Sequence, residues 1–181
     1  MFYLILGLVL WTAAHLFKRV LPDLRAQMGN AGKALAAVGI LAGLVLMIVG
    51  YRQAEVVNLW FPPGWTVHVN NLMMLGAVFL YGMSATKGRL RGAMRHPQLT
   101  AVKVWAVAHL LVNGDLASLV LFGGLLLWAG AEVAVINRSE TWVRPEPGPA
   151  KKDIILVGIT IVAFLAMTWI HNWLGVWPFP A

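Results

Sequence analysis

Five histidines and no cysteine set the metal chemistry open to this chain: His15, His68, His96, His109 and His171. Without a thiolate, a disulfide framework, a zinc ribbon, an iron–sulfur cluster and a thiolate-ligated haem are all excluded. Most of these histidines lie in or beside strongly apolar runs, where a polar group needs either a hydrogen-bond partner on a neighbouring helix or a ligand. An imidazole-only set with few acidic residues beside it suits haem iron better than structural zinc.

Geometry limits which histidines can share one iron. His96 and His109 are 13 residues apart, about 20 Å of rise on one helix and on different faces. A second helix must therefore supply the partner of His109, and His15 and His171 are the candidates. Depth counting along the apolar runs favours His171, which shares the outer half with His109, and puts His15 nearer the inner surface. Around these residues a pattern continues: Arg95-His96-Pro97 opens a helix with proline in its first turn, Lys103 shares the face of His96, and Trp105 shares the face of His109. Lys103 is expected to snorkel to the inner surface or to pair with Glu132; with Arg19 and Arg95 it also offers cations to anionic groups such as haem propionates. Asn113-Gly114-Asp115 reads as a tight turn whose aspartate caps the next helix, or alternatively as the source of a carboxylate that orients a ligating imidazole.

The elements that must position these residues are membrane helices. Of 181 residues, 60% are hydrophobic and 12% charged, against about 25% charged in soluble domains. Apolar runs cover Phe2 to Phe17, Ala34 to Tyr51, Val69 to Ala85, Leu99 to Val112, Leu116 to Ile136 and Ile154 to Trp173. They predict an all-α integral membrane bundle of about six transmembrane helices, the fourth being the shortest. The first run lacks a basic segment before it and is followed by Lys18 and Arg19, so it reads as a retained helix rather than a cleaved signal.

Net charge is +7, but the cations sit in short clusters between apolar runs, a topology signal and not a nucleic-acid surface. If every run spans, one side holds Lys18, Arg19, Arg25, Lys33, Lys87, Arg89, Arg91, Arg95, Arg138, Arg144, Lys151 and Lys152, which is 12 of the 14 basic residues. That side is expected to be cytoplasmic and both termini periplasmic. Trp60, Phe61, Trp65, Trp173 and Trp177 gather at the opposite interface, where amphipathic aromatics belong. Short connections leave no room for a second domain. Pro62-Pro63-Gly64 predicts an outer turn, and 145–149 a solvated inner linker. Gly39 and Gly43 form a small-xxx-small pair for close helix approach, within the chain or between copies. No internal repeat stands out.

The stretch Arg95-His96-Pro97-Gln98-Leu99, Lys103, Trp105, Ala108-His109-Leu110, Asn113-Gly114-Asp115-Leu116 and Leu121-Phe122-Gly123-Gly124 resembles the signature of the NnrU family. The resemblance extends to His15, to Gly50-Tyr51-Arg52 and to His171-Asn172-Trp173-Leu174-Gly175-Val176, and so implies one NnrU-like membrane domain over 1–181. That family comprises bacterial inner-membrane proteins associated with nitrite and nitric oxide reduction in denitrification. It is similar in turn to the plant zeta-carotene isomerase, a membrane enzyme that uses haem b with histidine ligands. Carried over by motif, those ligands fall on His15 and His109; a cysteine three residues before the second ligand is replaced by Ala106.

The Arg95-His96-Pro97 opening also resembles the isoprenylcysteine-type methyltransferases, which use S-adenosylmethionine. The following Asn137-Arg138-Ser139-Glu140-Thr141-Trp142 lacks their cofactor-enclosing pattern. The reading that results is a haem b protein of the bacterial inner membrane, supporting nitrite and nitric oxide metabolism by redox chemistry, sensing or reductase maturation, with nitric oxide or a redox protein as partner. His15 and His109 are the expected iron ligands, and His171, His96, Lys103 and Arg95 the further cofactor-binding candidates. The competing classes are a haem-dependent isomerase, a methyltransferase and a structural membrane subunit.

Overall fold

A computed structural model describes residues 1–179. Among them the regular structure is helical: α1 (Phe2–Val20), α2 (Pro22–Gln27), α3 (Gly29–Arg52), α4 (Thr66–Met83), α5 (Pro97–Val112), α6 (Leu116–Ser139) and α7 (Lys151–Trp173), with a 3-10 turn at Arg89–Gly92. Each of the six apolar runs falls on one of the longer helices. Four of them, α1, α3, α6 and α7, with 19, 24, 24 and 23 residues, are long and apolar enough to cross a membrane. The chain is a multi-pass membrane protein on that composition. α5, at 16 residues, is shorter, and the first turns of α4 carry His68, Asn70 and Asn71, which lowers its apolar character.

Punctuation residues place the helix ends. Proline opens α2 and α5, where its missing N–H costs no intrahelical bond. Asp115 caps α6: its Oδ1 accepts the Ser118 amide at 2.9 Å and its Oδ2 the Ser118 hydroxyl at 2.6 Å. Both oxygens serve the helix start, so the capping role anticipated for Asp115 is the one present.

The helices divide into two compact units, Met1–Trp60 with Gly114–Glu140, and Phe61–Asn113 with Thr141–Ala181. Each takes two long helices from neighbouring sequence and a third from further on.

In the first unit α1 runs antiparallel along α3, and α6 packs on α1. Glycines make the α1–α3 seam. A Cβ at Gly7 would stand 2.6 Å from the Met47 nitrogen, one at Gly43 2.9 Å from the Trp11 nitrogen, and one at Gly50 would fall on the Leu4 backbone. Any larger residue would force these backbones apart, which is how small residues drive helix pairing where lipid removes the hydrophobic incentive. Gly39 and Gly43 therefore serve packing inside the chain. At one end of this unit Leu59 and Trp60 donate their amides to the Gly114 carbonyl at 2.7 and 3.1 Å, and Leu116 donates to Val57 at 2.8 Å. The Tyr51 hydroxyl meets the fully buried Ser118 at 2.8 Å, tying the end of α3 to the cap of α6.

The second unit packs α4 against α5 and α7. Its loops around residues 88–92 and 145–149 are pinned rather than loose. Asp153 accepts the amides of Arg89 and Leu90 at 3.2 and 3.3 Å, and Gly148 donates to the Gly88 carbonyl at 3.1 Å. The 145–149 linker is largely exposed yet anchored, because glycines at 88, 92 and 148 let backbone pass against backbone or carboxylate where a side chain would collide.

Candidate functional site

Three of the five histidines share one local geometry. Nδ1 of His15 lies 2.9 Å from the Trp11 carbonyl, Nδ1 of His109 2.9 Å from the Trp105 carbonyl, and Nδ1 of His171 2.7 Å from the Met167 carbonyl. A carbonyl can only accept, so Nδ1 carries the proton and the ring's lone pair is on Nε2. A backbone acceptor on the far ring nitrogen is the arrangement that orients a ligating imidazole and raises its basicity.

At two of these sites the resemblance goes further. Trp11-Thr12-Ala13-Ala14-His15-Leu16 and Trp105-Ala106-Val107-Ala108-His109-Leu110 share Trp, Ala, His and Leu at the same spacing. The tryptophan one turn before each histidine lies against its ring, with centroids 4.3 Å apart at 40° in α1 and 5.1 Å apart at 50° in α5. The sequence contains a short repeat after all, one copy in each unit.

The surroundings differ. In the first unit Trp11, His15 and Arg19 form a stripe at i, i+4 and i+8 on α1, and it meets Trp128 and Glu132, spaced i, i+4, on α6. Trp128 closes on His15 at 4.8 Å and on Trp11 at 5.4 Å, both edge-on. Arg19 Nη1 contacts Glu132 Oε1 at 3.1 Å, and Nη2 lies 3.5 Å from Glu140 Oε1. Lys103 was expected either to snorkel to the inner surface or to pair with Glu132; Glu132 is held by Arg19, because the α1 and α6 stripes face each other, and Lys103 is half-buried on α5. Four buried polar atoms of this cluster have no protein partner: the indole N–H of Trp11, that of Trp128, Nε–H of Arg19 and Oε2 of Glu132. Each such group costs about 1–3 kcal/mol unless something polar meets it.

In the second unit His109 is half-buried near the end of α5, and its own carbonyl accepts the Asn113 side-chain amide at 2.8 Å. His171 is exposed at the end of α7, in the same unit as His109. α5 is continuous from Pro97 to Val112, which leaves His96, at its N-cap, about 20 Å of rise from His109. Arg95 and His96 are half-buried at that opposite end of α5, and His68 is exposed in the first turn of α4. Among the described residues no three His, Asp or Glu side chains converge as a protein-only metal cage.

Trp128 and Glu132, on a helix far along the chain, were not legible as companions of His15 and Arg19. The signal that was available is the i, i+4 stripe on each helix and the repeated Trp-x-x-Ala-His-Leu.

Fold and site together define an all-helical, multi-pass membrane protein in which three of the five histidines donate Nδ1–H to the carbonyl one turn back. The family model described as NnrU protein matches residues 3–178, and the chain belongs to the NnrU family. Neither a curated protein nor a solved structure matches it.

Proposed function

We propose that this chain is a haem b-binding protein of the bacterial inner membrane that serves nitrite and nitric oxide metabolism, with His15 and His109 as iron ligands through Nε2. The observation that carries the reading is the repeated Trp-x-x-Ala-His-Leu, in which each histidine spends Nδ1–H on the carbonyl one turn back. A porphyrin iron asks the protein for only one or two imidazoles, so the donor set fits this group better than a caged metal, which needs three or more side chains. Bound haem would supply an iron able to exchange an electron or take up nitric oxide when one ligand leaves. The chain's own part is to fix the tautomer and rotation of each ring and to keep water from it with tryptophan.

The family's association with nitrogen oxide reduction supports the metabolic setting. The family match runs through both units, which supports treating 1–181 as one membrane domain. The clustering of 12 of 14 basic residues in alternate loops supports six spans with both termini periplasmic. Reporter fusions after Lys33, Arg91 and Lys152 should then report cytoplasm, and one after Gly175 the periplasm; a cytoplasmic report after Gly175 would mean that one apolar run, with α5 the first suspect, does not span.

The deciding experiment is an optical spectrum of the purified protein. A Soret band with sharp reduced bands supports haem. Tight S-adenosylmethionine binding without one would support methyl transfer, and neither would leave a structural subunit.

A further inference from the structure

Arg19 lies four residues after His15, one turn further along the same face of α1. Its planar guanidinium can grip a carboxylate with two parallel N–H bonds, and Nε with Nη2 forms one such edge. Glu132 engages the other nitrogen, Nη1, at 3.1 Å from a closed position with only 7% of its side chain exposed. On the Nε–Nη2 edge, Nη2 has the 3.5 Å contact to Glu140, whose side chain is half exposed, and Nε–H is buried with no acceptor. The edge is therefore half used: Nη2 carries the longer of the two carboxylate contacts and Nε–H carries none. Two further buried donors, the indole N–H groups of Trp11 and Trp128, lie on the same helix pair beside the His15 ring.

Resting on the haem reading above, we propose that the Nε–Nη2 edge of Arg19 binds a propionate carboxylate of the haem. Glu140 vacates that edge, and Glu132 is the fixed counter-charge that holds the guanidinium in place. A bidentate contact would satisfy the buried Nε–H without breaking the Arg19–Glu132 pair.

The test titrates the full chain in detergent with haem b and with haem dimethyl ester, whose propionates are capped, read by Soret absorbance. Wild type should bind the free acid about tenfold more tightly, the difference one charge-assisted contact makes. Arg19→Gln should abolish the preference by weakening haem b alone. Retention of the preference in that variant, or equal weakening of both forms, overturns the proposal. Glu140→Gln leaves the buried pair intact and covers the case in which Arg19→Gln does not fold. It should tighten haem b about threefold, as loss of an exposed competitor does, and leave the ester unchanged; an unaltered haem b affinity overturns the proposal. A wild type that binds both forms alike defeats the propionate assignment only, whereas one that takes up neither defeats the haem reading with it.

Discussion

The two units carry the same Trp-x-x-Ala-His-Leu segment but surround it differently. In the first, the His15 ring is walled by Trp11 and Trp128 and followed one turn on by the Arg19–Glu132 pair. In the second, His109 has Trp105 beside it and Asn113 closing the helix end. What is common to both is intrahelical, the hydrogen bond to the carbonyl one turn back. What differs comes from beyond the repeated segment, from Arg19 and Asn113 further along the same helices and from Trp128 and Glu132 on the helix packed against the first copy, so the segment sets the tautomer and its unit sets what else lies there.

Removing the imidazoles tests the comparison most severely. His15→Ala and His109→Ala should each lower haem occupancy by about tenfold to a hundredfold or convert a low-spin spectrum to high-spin, while His171→Ala and His96→Ala keep the wild-type spectrum. A low-spin signal that survives in His15→Ala and vanishes in His171→Ala would give the second ligand to α7 and break the equivalence of the two copies.

The glycine seam belongs to the first unit, and a residue forced into it should cost more than anywhere comparable in the second. Gly43→Leu should destabilise the protein by about 1–3 kcal/mol or more, seen as a lowered Tm in detergent. Gly76→Ala on α4, where a Cβ meets nothing, should stay within about 0.5 kcal/mol of wild type. Equal losses at the two positions would mean that the α1–α3 approach is not tight.

Asp115→Ala removes the acceptor of both Ser118 donors and should cost about 0.5–2 kcal/mol, again as a lowered Tm. If it removed haem as fully as His109→Ala, Asp115 would be orienting an imidazole and not merely starting a helix.

The smallest effects should come from the repeated tryptophans. Trp11→Phe and Trp105→Phe keep the backbone carbonyl that fixes the tautomer, so each loses only part of a ring contact, about 0.5–1.5 kcal/mol. Haem affinity measured by titration should fall by less than about tenfold in both. A complete loss in either would show that the indole, and not the carbonyl, holds the ring.

Much of the architecture was legible because its causes are local. Six apolar runs mark six long helices, prolines 22 and 97 mark two helix starts, and Asp115 with Ser118 marks a third. The alignment of Trp105 with His109 follows from helical spacing alone, and the same spacing at Trp11 and His15 held the repeat in plain view. The partner of Glu132 was not legible. Lys103 and Arg19 are both basic and both near an apolar run, and only the facing of α1 and α6 selects Arg19. Likewise Gly39 and Gly43 announce close approach without saying to what.

The sequence by itself determined the solvent of this protein, the helices and the tautomer of three histidine rings, because hydropathy, capping and an i, i−4 hydrogen bond act within one or two turns. The tertiary structure alone decided that α6 returns to the unit of α1 and α3, and α7 to that of α4 and α5. With that return came Trp128 and Glu132, more than 110 residues along the chain from His15, and the half-used edge of Arg19. Between membrane helices the apolar faces are nearly interchangeable, and the choice of neighbour rests on where small residues let backbones close and where a buried charge finds its opposite.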